Sequence, residues 1–149
     1  MKRILLLVPF VLFACSNGDD HLGDSDNPIV GKWRYNGIIE YPEEEETMES
    51  EASECSEKST LYFKVNGNLE AVHYHSPLGD CVLNEMATTN LNWEQLSEGK
   101  YRISGENGSN VRDEIAFPDS NTMHMISNTN YNKLDVVIDR KAEVYKRIE

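Results

Sequence analysis

The chain has 149 residues, of which 39% are hydrophobic and 9% are aromatic, so it has enough apolar material for one globular domain. It carries 26 Asp and Glu residues against 14 Lys and Arg residues, a formal net charge of -12. This balance argues against a nucleic-acid partner, because binding to phosphates depends on clustered Lys and Arg, and the sequence has no such cluster.

The first fourteen residues have the pattern of a secretory signal. A basic start, Met1-Lys2-Arg3, precedes an uncharged apolar run at 4–14. This run is too short for a membrane span, which needs roughly 20 apolar residues. Its end, Leu12-Phe13-Ala14-Cys15, resembles the lipobox of bacterial lipoproteins, in which the Cys becomes the lipidated first residue of the mature protein. The resemblance implies a signal peptide at 1–14 and a membrane anchor at Cys15. An ordinary signal peptide followed by a chance Cys is the alternative.

Residues 15–28 are predicted to form a flexible acidic tether, since they contain four Asp, two Gly and no Lys or Arg. Acidic residues directly after a lipidated Cys resemble the export signal of Bacteroidota surface lipoproteins, although a plain spacer would have a similar composition. The expected location is the outer membrane, with the domain at the cell surface or, alternatively, on the periplasmic face.

The two remaining cysteines, Cys55 and Cys81, are an even pair in a chain directed to an oxidising compartment, which predicts a disulfide. Closing a loop of this length would stabilise the fold by roughly 3 to 4 kcal/mol. Two alternatives remain. A metal site would need more soft ligands nearby than two Cys, and a catalytic thiol would be poorly suited to an oxidising compartment.

From Ile29 onward the apolar pattern has period two and is interrupted by turn residues roughly every eight to twelve positions, which predicts an antiparallel meander. Asn66-Gly67-Asn68 predicts a hairpin turn, and further turns are expected at 97–99, 106–110 and 118–121, with a polar stretch at 128–133. The predicted strands are, in chain order, Ile29–Tyr35, Ser59–Val65, Leu69–His75, a strand at Leu91 and Trp93, Tyr101–Gly105, Val111–Phe117, a strand at Met123 and Met125, Leu134–Ile138 and Ala142–Ile148.

Eight or nine strands in about 120 residues must curl or split into two sheets, and closure removes the exposed edges. We therefore expect an all-β fold over residues 29–149, an antiparallel up-and-down meander closed into an eight- or nine-stranded barrel. A two-sheet sandwich has the same periodicity and is the alternative.

Gly31-Lys32-Trp33 on the first strand resembles the G-x-W motif of lipocalins, whose Trp closes one end of the barrel. Together with the Cys55 and Cys81 regions and the ending Val144–Ile148, it resembles the lipocalin-like domain of many Bacteroidota surface lipoproteins. The resemblance implies a calycin-type barrel, a Cys55–Cys81 bridge, and no established enzymatic activity. It also implies that Arg147 packs on Trp33 as a cation–π contact. The acidic insertion after the first strand departs from this pattern.

His73 and His75 are separated by two positions, so they project to one face of a strand and could share a metal ion. If the Asn66-Gly67 turn sets Phe63 opposite Leu69, that face is also the one that carries Leu69. Zinc needs three or four ligands, and two polar residues at a strand end are the simpler interpretation. We therefore predict no metal and no cofactor.

Aromatic and Met side chains are common in ligand cavities, so those on the predicted interior face are candidates for ligand contacts. These are Phe63, Trp93, Tyr101, Phe117, Met123 and Met125, together with His73 and His75. Side chains of this kind also form filled cores, and a barrel of this size either fills or holds one small ligand.

The stretch 43–57 contains eight Glu and no basic residue, which predicts a solvated, mobile loop. Weak cation binding or contact with a basic partner is the functional alternative. The tether and this stretch hold twelve of the 26 acidic residues, so the rest of the domain is close to neutral.

The sequence contains no nucleophile elbow, phosphate-binding loop, zinc-protease helix or EF-hand loop, so we do not expect an enzyme. Its many acidic residues carry no information for or against a pair of glycosidase carboxylates. The expected function is a lipid-anchored cell-surface binding protein for a small hydrophobic or amphipathic molecule. The alternative is a non-catalytic accessory protein with a filled barrel, whose loops contact protein or glycan.

Overall fold

The computed structural model describes residues 26–43, 46–105, 108–112, 114–133 and 136–149. In these residues the chain is all-β and antiparallel, as predicted, with twelve strands and one short 3-10 helix at Ser56–Lys58. The strands are β1 Gly31–Pro42, β2 Met48–Glu51, β3 Thr60–Phe63, β4 Asn68–Val72, β5 Tyr74–His75, β6 Val82–Leu83, β7 Thr89–Ser97, β8 Lys100–Gly105, β9 Gly108–Arg112, β10 Glu114–Asp119, β11 Thr122–Lys133 and β12 Val136–Arg147.

Several predicted features lie outside the described residues. They are the signal peptide at 1–14, the lipidation site Cys15, the tether up to residue 25, Glu44 and Glu45 of the acidic stretch, Glu106 and Asn107 of a predicted turn, and Leu134 at the start of a predicted strand.

One main sheet holds ten strands, in the order β10-β11-β12-β1-β3-β4-β7-β8-β9, with β2 added to β1. β5 and β6 form a separate hairpin. The main sheet curls, as predicted, but it is open rather than closed, with β10 and β9 at its two ends. Among the described residues no ladder pairing joins β9 to β10, so the sheet does not close. β9 ends at Arg112 and β10 begins at Glu114, so one continuous segment supplies both edges, and its two halves pair with different neighbours, β8 and β11.

Four predicted segments in the C-terminal part of the chain differ from the structure. The polar stretch 128–133 continues β11, and residues 136–138 and 142–147, from two predicted strands, belong to one strand, β12. Residues 108–110 of the predicted turn 106–110 belong to β9. Ladder hydrogen bonds join backbone groups, so polar residues can continue a strand when the neighbouring strand is long enough to pair with them.

The acidic stretch 43–57 is more ordered than predicted. Residues Met48–Glu51 form β2, which pairs with Gly37–Glu40 of β1. Gly37 permits this approach, because its φ is +145° and a Cβ there would collide with the carbonyl oxygen of Ser50. The backbone of β2 is therefore held in the sheet while its glutamate side chains stay exposed.

The core lies on the concave face of the curled sheet. Alternation along the strands places Trp33, Phe63 and Leu69 on this face, and Phe63 lies opposite Leu69 across the β3–β4 hairpin. Burying each side chain of this size contributes roughly 1.5–3 kcal/mol. The buried cluster consists of Ile29, Trp33, Leu61, Phe63, Leu69, Ala71, Trp93, Tyr101, Ile115, Met123, Met125 and Tyr145.

Candidate functional site

The predicted ligand-contact residues of aromatic and Met type lie in the packed core. Phe63 packs edge-to-face on Trp93 with ring centroids 5.9 Å apart, and Trp93 contacts Tyr101 at 6.2 Å. Phe117 packs on Trp33, again at 5.9 Å. Met123 and Met125 are buried beside them. None of these side chains lines either of the two cavities described below. They fill one end of the interior.

The polar groups of these core aromatics have partners. The indole nitrogen of Trp93 donates a hydrogen bond to the carbonyl oxygen of Lys64 at 3.0 Å. The Tyr101 hydroxyl donates to the side-chain oxygen of Asn27 at 3.1 Å. Burial raises the pKa of Tyr101, which keeps its hydroxyl protonated and able to donate. These arrangements are those of a satisfied core.

Gly31, Trp33 and Arg147 meet at the same end of the sheet. Trp33 is fully buried, and its indole nitrogen donates to the carbonyl oxygen of Ile29 at 2.7 Å. The guanidinium carbon of Arg147 lies 4.1 Å from the Trp33 ring centroid. Gly31 has a φ of +133°, and a Cβ there would collide with the Arg147 guanidinium. The glycine therefore provides the space in which the arginine stacks on the indole.

A cavity of about 220 Å³ lies farther along the same face. Leu61 is the aliphatic residue of its lining, and Glu143 and His73 are the carboxylate- and imidazole-bearing residues. The complete lining is Tyr35, Ser56, Ser59, Thr60, Leu61, His73, Tyr74, Glu143 and Tyr145. The lining therefore offers both an apolar surface and polar groups to a small molecule.

The strands β1 and β12 position the aromatic part of this cavity. Tyr35 lies directly opposite Tyr145 in the ladder, and their rings meet edge-to-face with centroids 5.6 Å apart. Glu143 lies two residues before Tyr145 on the same face, and the Tyr145 hydroxyl donates to its carboxylate at 3.2 Å. Burial, and secondarily the charge of Glu143, raise the pKa of Tyr35. Both observations show that the Glu143 carboxylate lies close to the side chains of Tyr35 and Tyr145.

The disulfide anchors another wall of the cavity. Cys55 and Cys81 are bonded, as predicted, with Cα atoms 5.3 Å apart. Cys55 directly precedes the 3-10 helix that contains Ser56, and Cys81 directly precedes β6. Ser59, which follows the helix and is buried, accepts a hydrogen bond from the backbone amide of Tyr74 at 2.9 Å. The bridge therefore joins the helix to the β5–β6 hairpin beside the cavity.

The structure separates the two histidines that the sequence places as a pair. His73 lines the cavity, whereas His75 is exposed. The chain leaves β4 at Val72 and pairs differently in β5, so the alternation of the hairpin does not continue through both residues. Within the described ranges there is no group of three or more His, Cys, Asp or Glu that could hold a metal ion.

A second cavity, of about 330 Å³, lies on the opposite face of β1 and β12. His124 and Lys146 line it on one side and Glu49 lines it on the other. The Lys146 ammonium donates to the Thr122 hydroxyl at 2.7 Å. Burial, and then the charge of Lys146, lower the pKa of His124, against smaller opposing effects of Asp119 and Glu49. Sequence reasoning did not identify this groove, because β2 was predicted to be a loop.

The hairpin region 76–88 exposes several large apolar side chains. Leu78 is 95% exposed and Met86 is 98% exposed, and Val82 and Leu83 are also exposed. The region contains Asp80 and Glu85 but no Lys or Arg. Clusters of exposed apolar side chains are typical of interaction sites.

Sequence reasoning also missed Tyr145, Glu143 and the serines of the cavity, and it did not consider Tyr35 as a ligand contact. The signal was present in the last strand. Counting back by two from Arg147 places Tyr145 and Glu143 on the interior face, where a carboxylate is uncommon and calls for an explanation.

In the part of the chain that the structure describes, no helix has the length and apolar character needed to cross a membrane. In comparisons with known proteins, no family model matches the chain, and no curated protein matches it.

Proposed function

We propose that the chain is a lipid-anchored, non-catalytic binding protein of lipocalin-like type, which holds a small amphipathic molecule in the cavity beside Tyr35 and Tyr145. The observation that supports this most directly is the cavity itself, about 220 Å³ in volume, whose lining includes Leu61, Glu143 and His73. A purely hydrophobic ligand would bury these polar groups without forming hydrogen bonds to them, so the mixed lining favours an amphipathic ligand.

The size of the cavity limits the ligand. Pockets for drug-sized molecules have volumes of roughly 300 Å³ or more. A cavity of about 220 Å³ is smaller, because the core aromatics occupy the rest of the concave face. We therefore expect a small ligand rather than a long-chain lipid.

The lipocalin-like assignment is part of the proposal and is supported by the meeting of Gly31, Trp33 and Arg147 at one end of the sheet.

The binding proposal is tested with protein purified from its own cells. Native mass spectrometry is expected to show a bound small molecule that solvent extraction releases. Leu61→Trp should fill the cavity and abolish this added mass, whereas Tyr62→Trp, on the other face of the same strand, should retain it. A wild-type protein with no bound molecule, in preparations that retain native fold, would overturn the proposal.

The anchor is tested separately. Cys15→Ser is expected to move the protein from the membrane fraction to the soluble fraction, because acyl chains contribute about 0.8 kcal/mol per buried CH₂ to membrane binding. Proteolysis of intact cells then distinguishes the cell surface from the periplasmic face. Retention of the Cys15→Ser variant in the membrane fraction would contradict lipidation at this residue.

A second candidate function, an accessory protein that contacts another protein through its loops, is favoured by the exposed apolar side chains of 76–88. A Leu78→Ser and Met86→Ser double variant should then lose a partner recovered by crosslinking on native cells. Unchanged crosslinking would argue against this function, and a matched variant with an exposed polar change, Asn90→Ser, serves as the control.

A further inference from the structure

The cavity beside Tyr35 has an uneven distribution of charge. Glu143 is the acidic residue among those that line it, and the described lining contains no Lys or Arg. Its remaining polar groups are hydroxyls and one imidazole, from His73. A carboxylate in a partly enclosed site attracts a positive charge more strongly than it would in water, because the local dielectric constant is lower.

Aromatic residues line the same cavity. Tyr35 and Tyr145 meet edge-to-face at 5.6 Å with an interplanar angle of 70°, so their ring faces point in different directions around the cavity. Tyr74 contributes a third ring to the lining. Ring faces carry partial negative charge and attract cations, and several rings with a carboxylate are the usual receptor for an alkylammonium group.

A hydrogen bond joins the carboxylate to one of the rings. The Tyr145 hydroxyl donates to the Glu143 carboxylate at 3.2 Å. Burial and the negative charge of Glu143 raise the pKa of Tyr35, so this phenol stays neutral and its ring keeps its electron-rich face. The local arrangement thus combines one negative charge with neutral aromatic rings.

We propose that this cavity binds a small organic cation, with an ammonium group held by the Glu143 carboxylate and the rings of Tyr35 and Tyr145, and with its short carbon chain against Leu61. The inference rests on the proposed binding function and names the ligand class. The volume of about 220 Å³ limits the ligand to an ammonium group with a few carbon atoms.

The test compares a cation with its uncharged isostere on the purified protein. Choline and 3,3-dimethylbutan-1-ol have nearly the same shape and differ in the charge of the quaternary centre. We expect titration calorimetry and NMR shifts to show at least tenfold tighter binding of choline, with shift changes at Tyr35 and Tyr145. Ethanolamine, as a primary ammonium, distinguishes recognition of any ammonium from recognition of the quaternary form.

Variants test which residues are responsible for the binding of choline. Glu143→Gln should weaken choline binding at least tenfold, whereas Glu94→Gln, the same change at an exposed position outside the cavity, should leave it unchanged. Tyr35→Phe should retain binding and Tyr35→Leu should lose it, because the ring and not the hydroxyl holds the cation. If Tyr35→Leu does not fold, the comparison of choline with its isostere on the wild-type protein still decides the question.

The failures of the two proposals are distinguishable. Equal binding of choline and its isostere in the cavity, or a neutral molecule extracted from the native protein, would overturn the cation class and leave the binding function intact. Binding of neither probe, together with no molecule extracted from native protein, would overturn both.

Discussion

The guanidinium of Arg147 covers the indole of Trp33, with its central carbon 4.1 Å from the ring centroid. The same guanidinium donates hydrogen bonds to three backbone carbonyl oxygens, those of Pro28 and Val30 at 2.6 Å and that of Ser120 at 2.9 Å. Partial burial lowers the pKa of Arg147, which still leaves the group protonated. One side chain therefore joins the entry to β1, the β10–β11 turn and the last strand.

Replacing Arg147 should destabilise the fold. Arg147→Lys keeps the charge but cannot reach three carbonyls with one compact ammonium, so we expect the free energy of unfolding to fall by about 2–4 kcal/mol. Urea denaturation measures this. Arg140→Lys is the control, because Arg140 forms an exposed ion pair with Glu114, and its loss should be within about 1 kcal/mol. Equal effects of the two variants would contradict a structural role for the stacked guanidinium.

Gly37 controls the position of β2. Gly37→Ala places a Cβ against the Ser50 carbonyl oxygen in a backbone conformation that side chains rarely adopt, so β2 should detach from β1. The expected cost is about 1–3 kcal/mol, with faster hydrogen exchange at Met48–Glu51. Gly79→Ala is the matched control, since Gly79 has a φ of +98° but nothing within 4 Å of an added Cβ. Unchanged exchange in β2 would show that the close approach tolerates a side chain.

The disulfide should stabilise both the fold and the cavity wall. Its residues are 26 positions apart, and the chain-entropy model gives roughly 3 to 4 kcal/mol for a loop of this length. The Cys55→Ala and Cys81→Ala double variant is expected to have a Tm several degrees lower, measured by circular dichroism. Reductant should lower the Tm of the wild-type protein and leave that of the double variant unchanged. A wild-type Tm insensitive to complete reduction would contradict this contribution.

Much of the strand pattern could be predicted because alternation and turn chemistry are local properties. The turn at Gly67 allowed Phe63 to face Leu69, which the structure shows, and the Cys55–Cys81 bond was predicted from the redox compartment. The course of β2 could not be predicted, because its glutamates suggest a solvated loop and its pairing depends on a distant glycine, Gly37.

The site was harder to predict than the fold, because the position of a cavity depends on how side chains from several strands pack together. Trp93 and Met123 were candidates for ligand contact by residue type, and packing placed them in the core instead. Tyr35 and Glu143 form part of the cavity through the register of β1 and β12, which includes a shift between Tyr35 and Gly37. A long-range register of this kind is not encoded in either strand alone.

The stability of the fold should depend on pH through His124, which lines the cavity of about 330 Å³ together with Lys146 and Glu49. Its pKa is lowered in the folded state by burial and by the charge of Lys146, whereas in the unfolded chain it has the ordinary value of about 6.5. Between these two values the unfolded state binds more protons, so the free energy of unfolding falls as the pH decreases through this window. His124→Gln removes the titrating group and should flatten the decrease in stability as the pH falls below about 6.5, measured by urea denaturation at each pH. His75→Gln, at an exposed histidine outside this cavity, is the control for the loss of one histidine.

Lys146→Gln should move the NMR titration midpoint of His124 upward, since the repulsion that opposes protonation is removed. A His124→Gln variant with the wild-type pH dependence would contradict this coupling.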